Sequence, residues 1–152
     1  MEDIHISNIS DNIFFGSTPE NVLVMDELKN RKISYFISLQ QNQPEYTDKE
    51  HVLWLPTLNN GVPTFEQIEE GVAFITEKVK AGEKVYIHCR FGCGRAPTLV
   101  VAYLISTGMS PEDAMHKVYE NRPIAHLNKD QEEVVREFGE MKGLLSGELE
   151  AI

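Results

Sequence analysis

Short apolar runs alternate along the chain with longer segments whose apolar residues recur every three or four positions. The short runs are rich in β-branched and aromatic residues, a composition typical of β-strands. They predict strands at residues 13–15, 33–39, 51–55 and 85–87. The last of these runs is apolar throughout, which favours a strand buried on both faces in the middle of a sheet.

Helix signals fill the stretches between and after these strands. Residues 21–30 are predicted to be helical, and Thr64 and Gln67 form a capping box ahead of an apolar stripe that ends near Gly82. Apolar residues cover nearly the whole surface of the helix predicted at residues 95–106, so we expect this helix to be buried. The last two helices are predicted to begin at Ser110-Pro111 and at residues 128–131.

This order of elements predicts an α/β domain with a central, mostly parallel, twisted sheet flanked by helices. No internal repeat or Pro/Ser-rich linker divides residues 1–152, so we expect a single domain with a frayed tail at about residues 146–152. The longest apolar stretch, residues 99–105, is too short to cross a bilayer.

Charge and cysteine content narrow the choice of partners and surroundings. The chain has 14 Lys and Arg against 24 Asp and Glu, a formal net charge of -10. Counterion release therefore contributes little, and we expect neither a nucleic-acid nor a membrane partner, although one small basic pocket could still take a phosphorylated ligand. Two cysteines and an N-terminus without a signal peptide predict a protein of the cytoplasm, which we also expect to be a monomer.

Residues 85–98, VYIHCRFGCGRAPT, carry the chemistry that the sequence indicates. A buried strand leads into a short loop and then a helix N-terminus, so several backbone N–H groups can converge on an anion with the helix dipole behind them. Gly92 and Gly94 permit the backbone angles of a tight loop, and Arg95 can donate two parallel hydrogen bonds to an oxyanion. The same positive surroundings favour a thiolate at Cys89, which predicts a nucleophile.

Residues 88–95, HCRFGCGR, match the HCxxGxxR signature of cysteine-dependent protein tyrosine phosphatases. The order of the surrounding segments resembles the small dual-specificity type of this family over about residues 10–140. These segments are a Leu-Pro loop, a capped helix, the signature loop, an apolar helix and a final helix. The resemblance implies the phosphatase fold and hydrolysis of phosphate monoesters through a phosphocysteine intermediate, without a metal or another cofactor.

The resemblance also implies roles for individual residues. Cys89 would attack phosphorus, Arg95 and the loop amides would hold the phosphate oxygens, and His88 would order the loop and favour the thiolate. The phosphate-binding loop comprises Arg90, Phe91, Gly92, Cys93, Gly94 and Arg95. Gln131 resembles a residue that orients water, although it also fits as the N3 partner of a helix cap. The position of Arg122 before Pro123 is sufficiently explained by the end of a helix.

Two features of the signature loop stay open. A Ser or Thr usually follows the signature arginine and stabilises the thiolate as a leaving group, but Ala96 has no hydroxyl. We therefore expect slow breakdown of the intermediate unless Thr98 or a water molecule substitutes. Cys93 either faces the interior or forms a reversible disulfide with Cys89.

The general acid is the more serious departure from the family. Relatives place an Asp about thirty residues before the cysteine, a position that falls on Asn59. An amide has no transferable proton at neutral pH, and the loss of a general acid typically costs about 10²–10⁴-fold in rate. Three explanations compete: a substrate with a good leaving group, another acid, or a trap that binds phosphate esters and turns them over poorly. The other acids considered are Glu66, Asp48, Glu45 and His126.

The expected substrate is a phosphorylated protein or a small phosphate ester. Phosphotyrosine is the first expectation. The resemblance implies broader specificity, including phosphoserine and phosphothreonine, because the short chain lacks the insertions that deepen the pocket of strictly tyrosine-specific enzymes. One alternative is a phosphoanhydride hydrolase of the RNA 5′-triphosphatase type, against which the negative charge argues. The other is a phospho-residue binding module with weak catalysis, against which the presence of both Cys89 and Arg95 argues.

Overall fold

Strands and helices alternate along the part of the chain that the computed structural model describes, residues 5–151 for the backbone and residues 5–143 for the side chains. The strands are β1 Ile6–Asn8, β2 Ile13–Gly16, β3 Tyr35–Ser38, β4 Val52–Trp54 and β5 Val85–His88. The helices are α1 Val22–Asn30, α2 Phe65–Lys80, α3 Arg95–Ser106, α4 Pro111–Asn121 and α5 Lys129–Ala151, and a 3-10 turn at Lys49–His51 precedes β4. All the predicted strands and helices are confirmed.

The strands form one sheet in the order β1-β2-β5-β3-β4. Strand β1 is antiparallel to β2, and the other neighbouring pairs are parallel, which confirms the predicted mostly parallel sheet. Strand β5 lies in the centre between β2 and β3, as its continuous apolar run indicates. Because parallel strands end at the same edge of a sheet, the loops after β2, β3 and β5 meet at one edge.

Two hydrophobic cores cover the two faces of the sheet, because successive side chains of a strand point to opposite faces. Phe15, Ile37 and Ile87 face the larger core, which they share with helices α2 to α5. The residue before each of them faces the smaller core under α1. The predicted helical layers on the sheet are therefore confirmed, and α3 is buried along nearly its whole length, as predicted.

Side-chain caps begin three helices where the sequence predicts them. Thr64 and Gln67 exchange both hydrogen bonds of the capping box at α2, and Ser110 accepts a bond from the backbone of α4. Asn128 and Gln131 exchange the equivalent pair of bonds at α5. Strand β1 was not predicted, because three residues are too few to show a period of two.

The C-terminal helix includes the segment predicted to fray. Its backbone is helical to Ala151, while the side chains from residue 144 onward, and with them those of the predicted tail at residues 146–152, lie outside the described part of the chain. Of the helices within residues 5–151, none is both long and apolar enough to cross a membrane.

Candidate active site

The signature loop lies at the carboxyl edge of the sheet, between the end of β5 and the start of α3. Cys89 follows β5 directly, is only 3% exposed, and lies at the floor of a narrow pocket of about 60 Å³. The pocket is lined by Asn59, Asn60, Cys89, Phe91, Cys93, Gly94, Arg95 and Gln131. The structure thus brings together the predicted nucleophile, the arginine, the acid position and the predicted water-orienting glutamine.

The carbonyl groups of all five residues from 90 to 94 accept hydrogen bonds from donors outside this segment. The donors are the backbone N–H groups of Thr18, His126 and Thr98, at 3.1, 2.7 and 2.9 Å, and the guanidinium of Arg122. The C=O and N–H of one peptide unit point in opposite directions because the unit is planar and trans. Because the five carbonyls are bonded to groups outside the loop, we infer that the N–H groups of residues 91–95 face the space above Cys89.

Arg122 fastens the signature loop from behind. Its side chain is 2% exposed and donates to the carbonyl oxygens of Phe91 and Gly92, at 2.6 and 2.8 Å, and to Ser7 Oγ at 3.1 Å. Hydrogen bonds from a charged donor are stronger than those between neutral groups. The explanation of Arg122 as a helix end is therefore incomplete: it is the C-cap residue of α4, and its guanidinium also ties α4 and β1 to the loop.

The backbone requires a glycine at Gly92, whereas Gly94 makes room for a neighbouring side chain. Gly92 has φ +70°, and a Cβ there would lie 2.6 Å from the backbone of Gly16 at the end of β2. A side chain at this position would therefore force the loop and β2 apart. Gly94 meets the side-chain amide of Gln131, which would lie 3.1 Å from an added Cβ.

The guanidinium of Arg95 is buried and aimed by two backbone carbonyls. Nη1 donates to the oxygens of Leu39 and Thr57, at 3.3 and 2.9 Å, which lie in the segments after β3 and β4. An arginine has five N–H donors, so the Nε and Nη2 groups carry the three that remain. These form the fork that fits two oxygens of a phosphate.

Neither Ala96 nor Thr98 supplies a hydroxyl to Cys89. Ala96 is fully buried, and Thr98 Oγ1 donates to the carbonyl oxygen of Gly94 at 2.7 Å. The Thr98 proton is therefore used within the first turn of α3. Of the two substitutes considered for the missing hydroxyl, only a water molecule is compatible with this arrangement.

His88 is fully buried beneath the loop and contacts Tyr46. Its Nε2 lies 2.6 Å from Tyr46 Oη, and its Nδ1 lies 3.4 Å from the carbonyl oxygen of Cys89. Burial lowers the pKa of His88 to about 3, with a further lowering by Arg95 and an opposing effect of the Cys89 carbonyl. Burial also raises the pKa of Tyr46, so its phenol stays protonated and can donate to Nε2. We infer that the proton of neutral His88 is on Nδ1, facing Cys89.

The other loop residues lie at the rim and wall of the pocket. Phe91 is 62% exposed, and Arg90 is also exposed, with its guanidinium 5.3 Å from the centre of the Phe91 ring. Cys93 is half-buried and, like Cys89, is a free thiol. Burial raises the pKa of Cys93, an effect that Arg122 opposes and Cys89 reinforces. Two free thiols do not test whether Cys89 and Cys93 can form a reversible disulfide, which stays a prediction.

Gln131 connects three features of the site. It is 1% exposed, caps α5 together with Asn128, and donates from Nε2 to the carbonyl oxygen of Gly61 at 3.0 Å. The predicted cap is confirmed. The same side chain borders the pocket, so the predicted contact with water remains compatible with its position.

The acid position lies in an exposed turn. The N–H of Gly61 donates to the carbonyl oxygen of Leu58 at 2.7 Å, and Asn60 adopts a left-handed conformation with φ +63°. Asn59 and Asn60 both line the pocket, so this side of the mouth presents two amides and no carboxylate. The four alternative acids, Glu66, Asp48, Glu45 and His126, do not line it.

A wider cleft of about 330 Å³ lies beside the pocket and shares Asn59 and Arg95 with it. The cleft is lined by Thr18, Glu20, Gln40, Gln41, Asn42, Asn59, Arg90 and Arg95, all of them polar. Glu20 is the one carboxylate among the residues that line the pocket or the cleft. Among the described residues, no cluster of three or more His, Cys, Asp or Glu is arranged to hold a metal ion.

Sequence reasoning missed three residues of this region: Tyr46, Arg122 in its loop contacts, and Glu20. Tyr46 is 42 positions from His88, and Arg122 is 30 positions from Gly92, so local patterns do not connect them. For Glu20 and Tyr46, which follow β2 and β3, the available signal was the strand order. If β5 lies between β2 and β3, the loops that follow these two strands must border the signature loop.

Several known proteins that resemble this chain are named as phosphatases. The family model described as the dual specificity phosphatase catalytic domain matches residues 13–141. Over 79 residues the chain is 37% identical to human phosphatidylglycerophosphatase and protein-tyrosine phosphatase 1, which covers 51% of this chain and 39% of that protein. Over 116 residues it is 29% identical to mouse dual specificity protein phosphatase 15, covering 75% of this chain and 49% of that protein.

Solved structures agree over nearly the whole chain. The crystal structure of PTPMT1 superimposes with a TM-score of 0.81 at 26% identity, covering 94% of this chain and 99% of that chain. The active form of Tk-PTP superimposes with a TM-score of 0.79 at 29% identity, covering 89% and 96%. In sequence, by contrast, the chain spans less than half the length of the two curated relatives named above.

Proposed function

The chain belongs to the dual specificity phosphatase catalytic-domain family, and we propose that it hydrolyses phosphate monoesters through a phosphocysteine intermediate at Cys89. The observation that carries this proposal is the orientation of the loop. Outward carbonyls direct the N–H groups of residues 91–95 toward the space above a buried thiol, and the fork of Arg95 faces the same space. Convergent donors of this kind stabilise the charge on the oxygens of a transferring phosphoryl group.

Two chemical steps follow from this arrangement. In the first, the Cys89 thiolate attacks phosphorus in line, the S–P bond forms, and the P–O bond to the leaving group breaks. In the second, water attacks phosphorus, the S–P bond breaks, and inorganic phosphate leaves while the thiolate is restored. Because Ala96 has no hydroxyl and that of Thr98 bonds to Gly94, we propose that the departure of sulfur is the slow step.

Aryl phosphates are the substrates that this site is best equipped to cleave. The phenol of tyrosine has a pKa of about 10, so its oxygen leaves with less protonation than an alkoxide requires, and an aryl ester therefore depends least on a proton donor. We propose phosphotyrosine in proteins as the main substrate, with phosphoserine and phosphothreonine cleaved more slowly. The exposed ring of Phe91 at the rim offers an aromatic contact to the phenyl ring.

A phospholipid monoester is the second substrate to test. The human relative that is 37% identical over 79 residues carries the names of a phosphatidylglycerophosphatase and of a protein-tyrosine phosphatase. A lipid headgroup presents the same phosphate monoester to the loop. Parallel assays with a phosphotyrosyl peptide and with vesicles that contain phosphatidylglycerophosphate would rank the two by kcat/KM.

We further propose that the protein acts as a monomer in the cytoplasm. The nucleophile must remain a free thiol, and Cys89 and Cys93 are both free, which suits a reducing compartment. Light scattering of the purified protein tests the monomer, and fractionation of the source cells tests the location. A stable dimer or a location in an organelle would contradict the corresponding statement.

Cys89→Ser is the decisive test of the mechanism. Hydrolysis of an aryl phosphate should fall to background, while binding of inorganic phosphate remains measurable by calorimetry because the loop amides and Arg95 are unchanged. Acid quenching of the unaltered protein during turnover of ³²P-labelled substrate should yield labelled protein, and Cys89→Ser should yield none. Turnover by Cys89→Ser would contradict the phosphocysteine mechanism.

Two further results would favour the alternatives. Faster hydrolysis of a 5′-triphosphate RNA than of an aryl phosphate would indicate a phosphoanhydride hydrolase. Phosphate binding without turnover of any ester would indicate a binding module.

A further inference from the structure

In-line attack determines where the leaving group must lie. Cys89 is at the floor of the pocket, so the leaving oxygen, opposite its sulfur, points to the mouth. Asn59 and Arg95 line both the pocket and the wider polar cleft, whereas Cys89 lines only the pocket, and we infer from this that the cleft adjoins the mouth. A leaving group of any length therefore extends into or across this cleft.

The cleft contains the carboxyl group that the turn at Asn59 lacks. Among the residues that line the pocket or the cleft, only Glu20 carries a carboxyl group, and both asparagines of the turn are amides. None of Glu66, Asp48, Glu45 and His126 lines either space. We infer that Glu20 is the general acid of this enzyme and protonates the leaving oxygen in place of residue 59. This inference rests on the proposed function.

Hydrogen bonds connect Glu20 to the signature loop. Its backbone N–H donates to Thr18 Oγ1 at 3.3 Å, and the N–H of Thr18 donates to the carbonyl oxygen of Arg90 at 3.1 Å. The side chain of Asn42 donates from Nδ2 to Glu20 Oε1 at 2.9 Å. One carboxyl oxygen is therefore held from the β3 side of the cleft, and the other can carry the proton.

Glu20 also lies within electrostatic reach of the residues beneath the loop. Burial is the main cause of the raised pKa of Tyr46, and the negative charge of Glu20 is the second cause. Tyr46 contacts His88, which immediately precedes the nucleophile. Glu20 therefore acts electrostatically on Tyr46, which contacts His88, and it lines the same cleft as Arg95.

The proton balance is complete with this residue. Glu20 in its acid form gives its proton to the leaving oxygen as the P–O bond breaks, so the leaving group departs as a neutral alcohol or phenol. The resulting carboxylate shares the lining of the cleft with two guanidinium groups, Arg90 and Arg95. In the second step the carboxylate accepts a proton from the attacking water, which restores the acid form.

Glu20→Gln tests the inference through the leaving group, because glutamine keeps the shape of the side chain and removes the transferable proton. For an alkyl phosphate, such as a phosphoserine peptide, kcat/KM should fall by about 10²-fold or more. For an aryl phosphate with a strongly acidic phenol, kcat/KM should change little. The fall of kcat/KM toward high pH should disappear in Glu20→Gln and persist in Glu20→Asp.

Glu66→Gln is the matched control, since Glu66 is an exposed carboxylate that lines neither space. It should leave both substrates and the pH profile unchanged. An equal loss on both substrates in Glu20→Gln, or an unchanged profile, would overturn the assignment of Glu20. Cys89→Ser in the same assays distinguishes the two proposals. If Cys89→Ser abolishes turnover while Glu20→Gln has the kinetics of the unaltered protein, only the assignment of Glu20 as the general acid is refuted.

Discussion

The two sides of the active site are built differently. The phosphate side comprises residues 89–95 and Arg122. Here every carbonyl from residue 90 to 94 accepts a hydrogen bond, and the side chains of Cys89, Arg95 and Arg122 are buried. On the leaving-group side, Asn59 and Glu20 are exposed side chains on separate loops, held by few hydrogen bonds. The phosphate group is the same in every substrate, whereas the leaving group differs from one to the next.

Burial explains why residues on the leaving-group side can be substituted at a smaller cost in stability than residues on the phosphate side. A buried donor or acceptor that loses its partner costs about 1–3 kcal/mol, so each polar group of the phosphate side depends on the others. Substitutions of exposed side chains usually change stability by about 0.5 kcal/mol or less. A proton donor can therefore be lost from one exposed loop and be supplied by another while the phosphate loop stays intact.

The largest expected effect comes from exchanging the proton donor between the two loops. In a Glu20→Gln background, Asn59→Asp should raise kcat/KM for an alkyl phosphate by about 10²-fold, because residue 59 borders the same mouth. In the unaltered protein, where Glu20 already supplies a proton, the gain from Asn59→Asp should be far smaller. Equal gains in both backgrounds, measured by steady-state kinetics, would show that Glu20 gives no proton.

Gly92→Ala should damage the phosphate side next most severely. The added Cβ would lie 2.6 Å from the backbone of Gly16 and would also need φ +70°, so the loop amides must shift and inorganic phosphate should bind at least about tenfold more weakly. Gly82→Ala is the control, because Gly82 has φ +77° with no atom within 4 Å of an added Cβ. Calorimetry should find unchanged phosphate affinity in Gly82→Ala, and equal affinities in the two variants would refute this reasoning.

Arg122→Met should lower the free energy of unfolding by about 3 kcal/mol, because it leaves the carbonyls of Phe91 and Gly92 without their donors. Phosphate affinity should fall as well, since these carbonyls orient the loop. Arg136→Met removes an exposed arginine that pairs with Glu112 and should cost about 0.5 kcal/mol or less. Urea unfolding compares the two, and similar losses would mean that burial of Arg122 contributes nothing.

A further expected effect is the acid sensitivity of stability caused by His88. Its pKa is lowered to about 3 in the folded protein, whereas an unfolded histidine titrates near its ordinary value of about 6.5. Between these values the unfolded chain binds a proton that the folded chain excludes, so stability falls as the pH falls below about 6.5. His88 alone should cost on the order of 2 kcal/mol at about pH 5.

His88→Asn isolates this contribution. The loss of unfolding free energy between pH 7 and pH 5, measured in urea, should be smaller in His88→Asn than in the unaltered protein. The exposed His116 provides the control, since His116→Asn should leave that loss unchanged. An identical loss in His88→Asn would show that the buried imidazole does not govern the acid response.

Much of the phosphate side could be predicted from the sequence because its parts are neighbours along the chain. The apolar run of β5, the glycines, Cys89 and Arg95 lie within residues 85–98, and local conformational preferences suffice to order them as strand, loop and helix. The helix caps were predicted for the same reason, since a capping box spans only four residues. The position of Asn59 in the pocket followed from the resemblance to the family.

What the sequence by itself determined is therefore the order of elements, the α/β class and the phosphate loop, all of which depend on periodicity and contacts over short distances along the chain. Only the tertiary structure decided which side chains surround that loop. The pairing of β5 with β2 and β3 brings Glu20, Tyr46 and the carbonyl that holds Arg95 to one edge of the sheet. Contacts between residues dozens of positions apart arise from burial of the two sheet faces, and no local pattern encodes them.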